Sequence, residues 1–201
     1  MPNDRQTVTL TTDWMNKNYY MSAISQTDLP DIYLIGDHYV AQLKGVLRNI
    51  SQNIEIVDIS HSVQAFNVTQ AAFVLGNAYK YFPDGTIHLV GVNSEPSPKN
   101  RLVAIEKDKH YFVGANNGIF NMMFDTPPDV AYELTPPENL QGFAALAVFA
   151  VAVNHIINKR DISLLGQPID VNIKEIIRPT YSDSSITGSV LFIDHFGNLI
   201  T

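Results

Sequence analysis

The segment Thr86-Ile87-His88-Leu89-Val90-Gly91-Val92, running straight into Asn93-Ser94-Glu95, decides how the chain reads. It is a strongly apolar strand that stops abruptly in polar residues, and the turn signal Phe82-Pro83-Asp84-Gly85 opens it. Upstream of that turn, Ala71, Phe73, Val74, Ala78 and Tyr81 recur at helical spacing behind Asn67, whose amide suits an N-cap. Earlier still come a strand over 54–59, a helix over 40–50 carrying Val40, Leu43, Leu47 and Ile50, and a first strand over 7–12. Strands alternating with helical patterns predict a layered α/β domain.

Working the other way, 102–106 and 111–113 flank Lys107-Asp108-Lys109 and read as a hairpin. A turn at Asn116-Asn117-Gly118, a short apolar segment over 119–124 and a strand over 130–134 follow. The stretch 143–157 is a nearly all-apolar helix, expected to be buried within the assembly. Residues 179–185 are polar and turn-rich and read as a linker. After them 186–193 reads as a strand opening a second domain whose remainder is missing, which divides the chain into 1–180 and 181–201.

Composition narrows the function. Of 201 residues 45% are hydrophobic and 16% charged, enough for a core and too little charge for a disordered chain. Thirteen Lys+Arg against 20 Asp+Glu give a net charge of −7, a field that repels phosphates and argues against nucleic acid. With no cysteine, disulfides, thiolate catalysis and Cys-ligated metals are excluded, as fits a reducing compartment. The polar N-terminus lacks a signal-peptide core and no apolar run reaches the ~20 residues of a membrane span, so a soluble, cytoplasmic protein is expected. The six histidines are scattered, and neither a P-loop nor a dinucleotide fingerprint is present, so no metal and no cofactor are expected.

What remains is a set of polar residues at strand ends, where open α/β sheets bind ligands. Asp13 follows the first strand, Asp58, Ser60 and His61 the second, Asn93, Ser94 and Glu95 the third, and Asn116-Asn117 the hairpin. Each alone suits a turn cap. Together they suggest a pocket rather than a reaction.

Several motifs are recognisable in their order and spacing. They are Thr11-Thr12-Asp13-Trp14, Gly36-Asp37-His38-Tyr39-Val40 with Lys44-Gly45, and Ile56-Val57-Asp58-Ile59-Ser60-His61. Next come Ala71-Ala72-Phe73, Tyr81-Phe82-Pro83-Asp84-Gly85-Thr86-Ile87-His88, and Phe112-Val113-Gly114 with Asn117-Gly118. Asp194-His195-Phe196-Gly197-Asn198 completes the series. Together they resemble the S-adenosyl-L-methionine (SAM) hydroxide adenosyltransferases, relatives of the fluorinase and chlorinase enzymes.

The resemblance implies a three-layer α/β/α N-terminal domain with a mostly parallel central sheet, then a small β-barrel-like C-terminal domain. It implies a homotrimer in which the ligand lies between the N-domain of one subunit and the C-domain of its neighbour. The implied reaction is attack of water or hydroxide at C5′ of SAM, giving adenosine and methionine, with SAM as substrate rather than cofactor. A neutral thioether leaves, so no general acid is required, and the site must align and partly desolvate the nucleophile. Asp13 would take the ribose diol, Asp194 the methionine ammonium and Asn198 the adenine edge. Trp14, which could stack on the ligand or pack, Asp37 and Asn117 join them as substrate-binding candidates. Asp58 and His61 read as structural, fixing the loop after the second strand.

Departures from the pattern fall on the water site. The family's hydrolytic members carry an aspartate where this chain has Asn93, and their arginine falls on Asn100 or Arg101. The alignment of Phe143-Ala144-Ala145 puts Ala144 at the family's histidine and Ala145 at the halogenases' serine, which speaks against halide chemistry. Glu95 and Lys99 could substitute as a pair, or be solvated loop charges, so Asn93, Glu95 and Arg101 stand as the catalytic candidates. About 22 residues separate Trp14 from Asp37, a remodelled loop beside the ribose site. The alternative expectation is a degenerate protein of the same fold that binds SAM or adenosine without turnover.

Overall fold

The computed structural model describes residues 5–14, 38–126, 128, 130–136, 142–159, 161–174, 179–194 and 196–201. The 15–36 insertion and Asp37 lie outside the described residues. Strand β1 (Gln6–Thr12) leads through α1 (Tyr39–Ile50) to β2 (Ile54–Ser60), and α2 (Val68–Ala78) leads on to β3 (Ile87–Gly91). The chain continues through β4 (Leu102–Lys107), β5 (His110–Ala115), α3 (Ile119–Met123), β6 (Ala131–Leu134), α4 (Ala144–Lys159) and β7 (Pro168–Ile169). These seven strands form one sheet in the order β2-β1-β3-β5-β4-β6-β7. The β2, β1, β3 and β5 pairings are parallel, and β4, β6 and β7 join antiparallel.

The sequence explains this arrangement locally. Strands β3 and β5 are buried along their whole length, as parallel strands covered on both faces must be, which is why they read as apolar runs without alternation. Asn67 caps α2 by accepting from Gln70 N, 3.0 Å. The β4–β5 hairpin turns on Asp108 and Lys109, both at positive φ (51° and 64°), the primed turn that suits strand twist.

Leu43 and Leu47 of α1 and Val148, Phe149 and Val153 of α4 cover one sheet face, packing on Val8, Leu10, Leu89 and Val113. Ala71 and Leu75 of α2 and Ile119 and Phe120 of α3 cover the other, on Val90, Val103 and Phe112. The three layers are therefore α, β and α. Helix α4 buries Ala145, Val148, Phe149, Ala152, Val153 and Ile156 on its sheet side, while Val151 and Asn154 face outward from the chain.

Small strand pairs end the chain. Thr180–Tyr181 pairs with Ile186–Thr187, and Phe192–Ile193 pairs with Leu199–Ile200. The 186–193 stretch is thus two short strands rather than one, because each half pairs with a different segment, and 179–185, read as a linker, holds a strand of the first pair.

The topology fixes where a ligand can sit. From β1 the chain winds to β2 on one side through α1, then crosses back through α2 to β3 on the other. The β1–β3 junction is the switch point of the sheet, where α/β folds open a crevice at the strands' carboxyl ends. Asp13 and Asn93 stand there.

Candidate active site

Three loops meet on one carboxylate. Asp13 Oδ2 accepts from the backbone N–H of Phe66 (2.9 Å) and of Asn93 (3.1 Å), joining the ends of β1 and β3 to the loop that enters α2. Burial pushes the Asp13 carboxyl above its usual range, against the two amide bonds that favour its charge. Both donors adopt left-handed backbone, Phe66 at φ 64° and Asn93 at φ 46°. Asparagine tolerates that conformation better than most residues, and a phenylalanine held there is a local strain. Phe66 is 72% exposed. The hydroxyls of Thr11 and Ser94, buried beside Asp13 and Asn93, have no hydrogen-bond partner among the described residues.

A second set of bonds holds this end of the sheet from behind. His61 Nδ1 contacts Thr12 Oγ1 at 2.9 Å, and its Nε2 lies 3.0 Å from Asp58 Oδ1, close but poorly aligned for a hydrogen bond. Asp58 also pairs with Lys44 at 2.5 Å. Burial works against the Asp58 charge, yet Lys44 and His61 outweigh it and hold the carboxyl below its usual range. Asp58 and His61 thus tie β2 and α1 to the end of β1.

Beyond Asn93 opens a cleft of about 620 Å³ between the 93–100 loop and the 172–174 segment, with Asn117 and Gly118 also lining it. The loop is folded on itself. Ser97 and Asn100 exchange backbone hydrogen bonds (3.1 and 3.0 Å), and Asn100 Nδ2 donates to the carbonyls of Asn93 (2.7 Å) and Glu95 (2.8 Å). Asn117 is tied in as well, donating to Val92 O at 3.0 Å and accepting from Ile119 N at 3.3 Å. Asn93, Glu95, Lys99, Asn100 and Asn117 therefore share one cleft, one residue from Asp13.

The remaining candidates go elsewhere. Arg101 is bound to Glu133 on β6, 2.7 Å, outside the cleft, so Asn100 and not Arg101 occupies the inward position the alignment left open. Trp14 is buried, edge-on to Phe143 (5.2 Å) and Tyr39 (6.3 Å), so it packs. Ala144 opens α4 and does not line the cleft, and Ala145 is wholly buried.

Asp194 and Asn198 belong to the turn between the last two strands. Asp194 Oδ1 accepts from Phe196 N (2.9 Å) and Asn198 N (2.8 Å), and Oδ2 from Asn198 Nδ2 (2.6 Å). These bonds, the Asn198 side chain's first, hold the Asp194 carboxyl below its usual range. Among the described residues no group of three or more His, Asp or Glu could hold a metal ion.

With this geometry in view, the sequence profile of the SAM hydroxide adenosyltransferase N-terminal domain matches residues 33–166. The chain belongs to this family. It is 31% identical over 179 residues to the (R)-S-adenosyl-L-methionine hydrolase of Thermus thermophilus, covering 82% of this chain and 69% of that one. The (R)-S-adenosyl-L-methionine hydrolase of Methanocaldococcus jannaschii is 28% identical, over 81% of this chain and 61% of its own length. A fluorinase of an Actinoplanes species is 24% identical, over 82% and 67%.

Among solved structures, an uncharacterized conserved protein from Thermotoga maritima superposes with a TM-score of 0.74 at 25% identity, covering 96% of this chain and 70% of that chain. The match thus spans 61–69% of the two SAM hydrolases. Among the described residues no helix is long and apolar enough to cross a membrane. Sequence reading missed Phe66, which lies in none of its polar strand ends; only its place just before the Asn67 cap marks it.

Proposed function

We propose that this chain hydrolyses SAM, water attacking C5′ to give adenosine and L-methionine. The observation that carries the reading is the Asp13–Asn93 junction opening directly into the cleft that holds Glu95. Asp13 engages its two amide donors through Oδ2 and presents its other oxygen to the ribose diol. The 5′ carbon then faces the cleft. There the Glu95 carboxylate accepts a proton from water as the oxygen bonds to C5′. The C5′–sulfur bond breaks and its electron pair leaves on a neutral thioether, so no acid is needed. The Asn93 side chain orients the water by hydrogen bonding, a role that needs no carboxylate. The subunits assemble as homotrimers in the cytoplasm. Asp194 and Asn198 of a neighbouring copy close the site over the ammonium group and the adenine, their carboxylate–amide pair making the turn rigid.

The second reading is a binder without turnover, favoured by Asn93 and Ala144 standing where the resemblance expects a carboxylate and a histidine. Incubating the purified protein with SAM and separating the products by chromatography decides between them. Adenosine and methionine formed in equal amounts support hydrolysis. SAM bound in calorimetry but released unchanged supports the binder.

A further inference from the structure

The 172–174 wall of the cleft is built with unusual care for a loop. Asn116, buried beneath it, accepts from Asn172 N at 2.8 Å, donates to Asp170 O at 2.9 Å, and receives the Asn172 amide on its own carbonyl. Asn121 donates to Lys174 O at 3.4 Å, and Gly118 carries no Cβ where one would collide with Lys174 Cβ. The Lys174 backbone is therefore pinned, while its exposed side chain lines the cleft with no partner among the described residues. Lys44, Lys80, Lys107 and Lys109 are engaged with a side-chain oxygen. Lys99 shares the cleft with Lys174 and is likewise without a partner among the described residues, but it stands on the 93–100 loop with Glu95. In a chain of net charge −7, a fixed backbone carrying an unpaired cation into a cleft points to an anionic group on the ligand.

Reaction geometry says which group. Displacement at C5′ puts the nucleophile and the departing sulfur on opposite sides of the carbon. With Glu95 on the 93–100 loop, sulfur and the amino-acid tail lie toward 172–174. We infer that Lys174 binds the carboxylate of the methionine tail and so selects a substrate with an α-carboxylate. This rests on the reading of SAM as substrate.

The test is calorimetry with SAM, decarboxylated SAM and adenosine, on wild type, Lys174→Gln and Lys174→Arg. Expected is a preference of about fivefold for SAM over its decarboxylated form in wild type, lost in Lys174→Gln and kept in Lys174→Arg, with adenosine unchanged throughout. SAM binding whose preference survives intact in Lys174→Gln, or is absent from wild type, overturns this assignment alone. Adenosine binding with no SAM binding in any variant overturns the SAM reading and this assignment with it.

Discussion

Asp13 holds the backbone amides of both Phe66 and Asn93 on a single carboxylate oxygen, so one side chain is at once the keystone of three loops and the candidate ribose ligand. These two roles separate by substitution. Asp13→Ala leaves two amides without an acceptor and should lose about 1–3 kcal/mol of stability. Asp13→Asn keeps an oxygen acceptor and should unfold near wild type while adenosine affinity falls at least tenfold. Urea denaturation and calorimetry on both variants read the two effects.

Glu95 is the carboxylate of the cleft, held at its rim by the Asn100 amide on its carbonyl. Glu95→Gln should lower the hydrolysis rate by about 10²–10⁴-fold with KM little changed. Asn100→Asp sets a carboxylate against two carbonyl oxygens, so the loop opens and both kcat and KM suffer.

Arg101 is a test of the opposite kind. Its guanidinium is spoken for by Glu133, so Arg101→Gln should cost within about 1 kcal/mol of stability and leave turnover unaltered. Turnover assays beside thermal melts check this. A large loss of kcat would mean the arginine reaches the substrate after all.

Packing beneath the site is equally tight. A Cβ on Gly91 would stand 2.5 Å from Trp14 Cζ2 and 3.0 Å from Thr12 Cγ2. Gly91→Ala should therefore destabilise by about 1–3 kcal/mol and push Trp14 off its aromatic neighbours, visible as a shift in tryptophan fluorescence.

At the far end of the sheet lies a buried polar pair. His88 contacts Thr9 Oγ1 through Nδ1 (2.7 Å) and His110 through Nε2 (3.3 Å). Burial, then the charge of His110, pushes His88 down to about 3, and burial lowers His110 against Asp84 and Asp108. Both fold as neutral rings. The unfolded chain binds more protons below pH ~6.5, so their contribution is complete above that value and shrinks as pH falls, for His88 down to about 3, by up to about 1.4 kcal/mol per pH unit for each ring still neutral in the fold. His88→Asn should flatten that acid limb in urea titrations at several pH values.

The α/β layering was legible because β3 and the helix behind Asn67 carry strong local signals, apolar run and cap. The switch point was legible too, since Asp13 and Asn93 close adjacent strands. What sequence could not supply was direction. Asn100 and Arg101 are neighbours, and only the Ser97–Asn100 pairing turns the first inward and the second toward Glu133. From sequence Trp14 is equally fit to stack or to pack, and what makes it pack is Phe143, Tyr39 and Gly91 around its ring, contacts with no local trace. Lys174 escaped notice because Asn116, 58 residues before it, is what brings its segment to the cleft, a long-range bond with no local trace.

The central claim is that a nucleoside seats its ribose on Asp13 with C5′ facing Glu95. A crystal structure of the protein soaked with SAM or adenosine tests it most directly. The account predicts both ribose hydroxyls within hydrogen-bond distance of Asp13 and the 5′ carbon directed into the cleft of Asn93, Glu95 and Lys174. A nucleoside bound elsewhere, with Asp13 touching only Phe66 and Asn93, would contradict it.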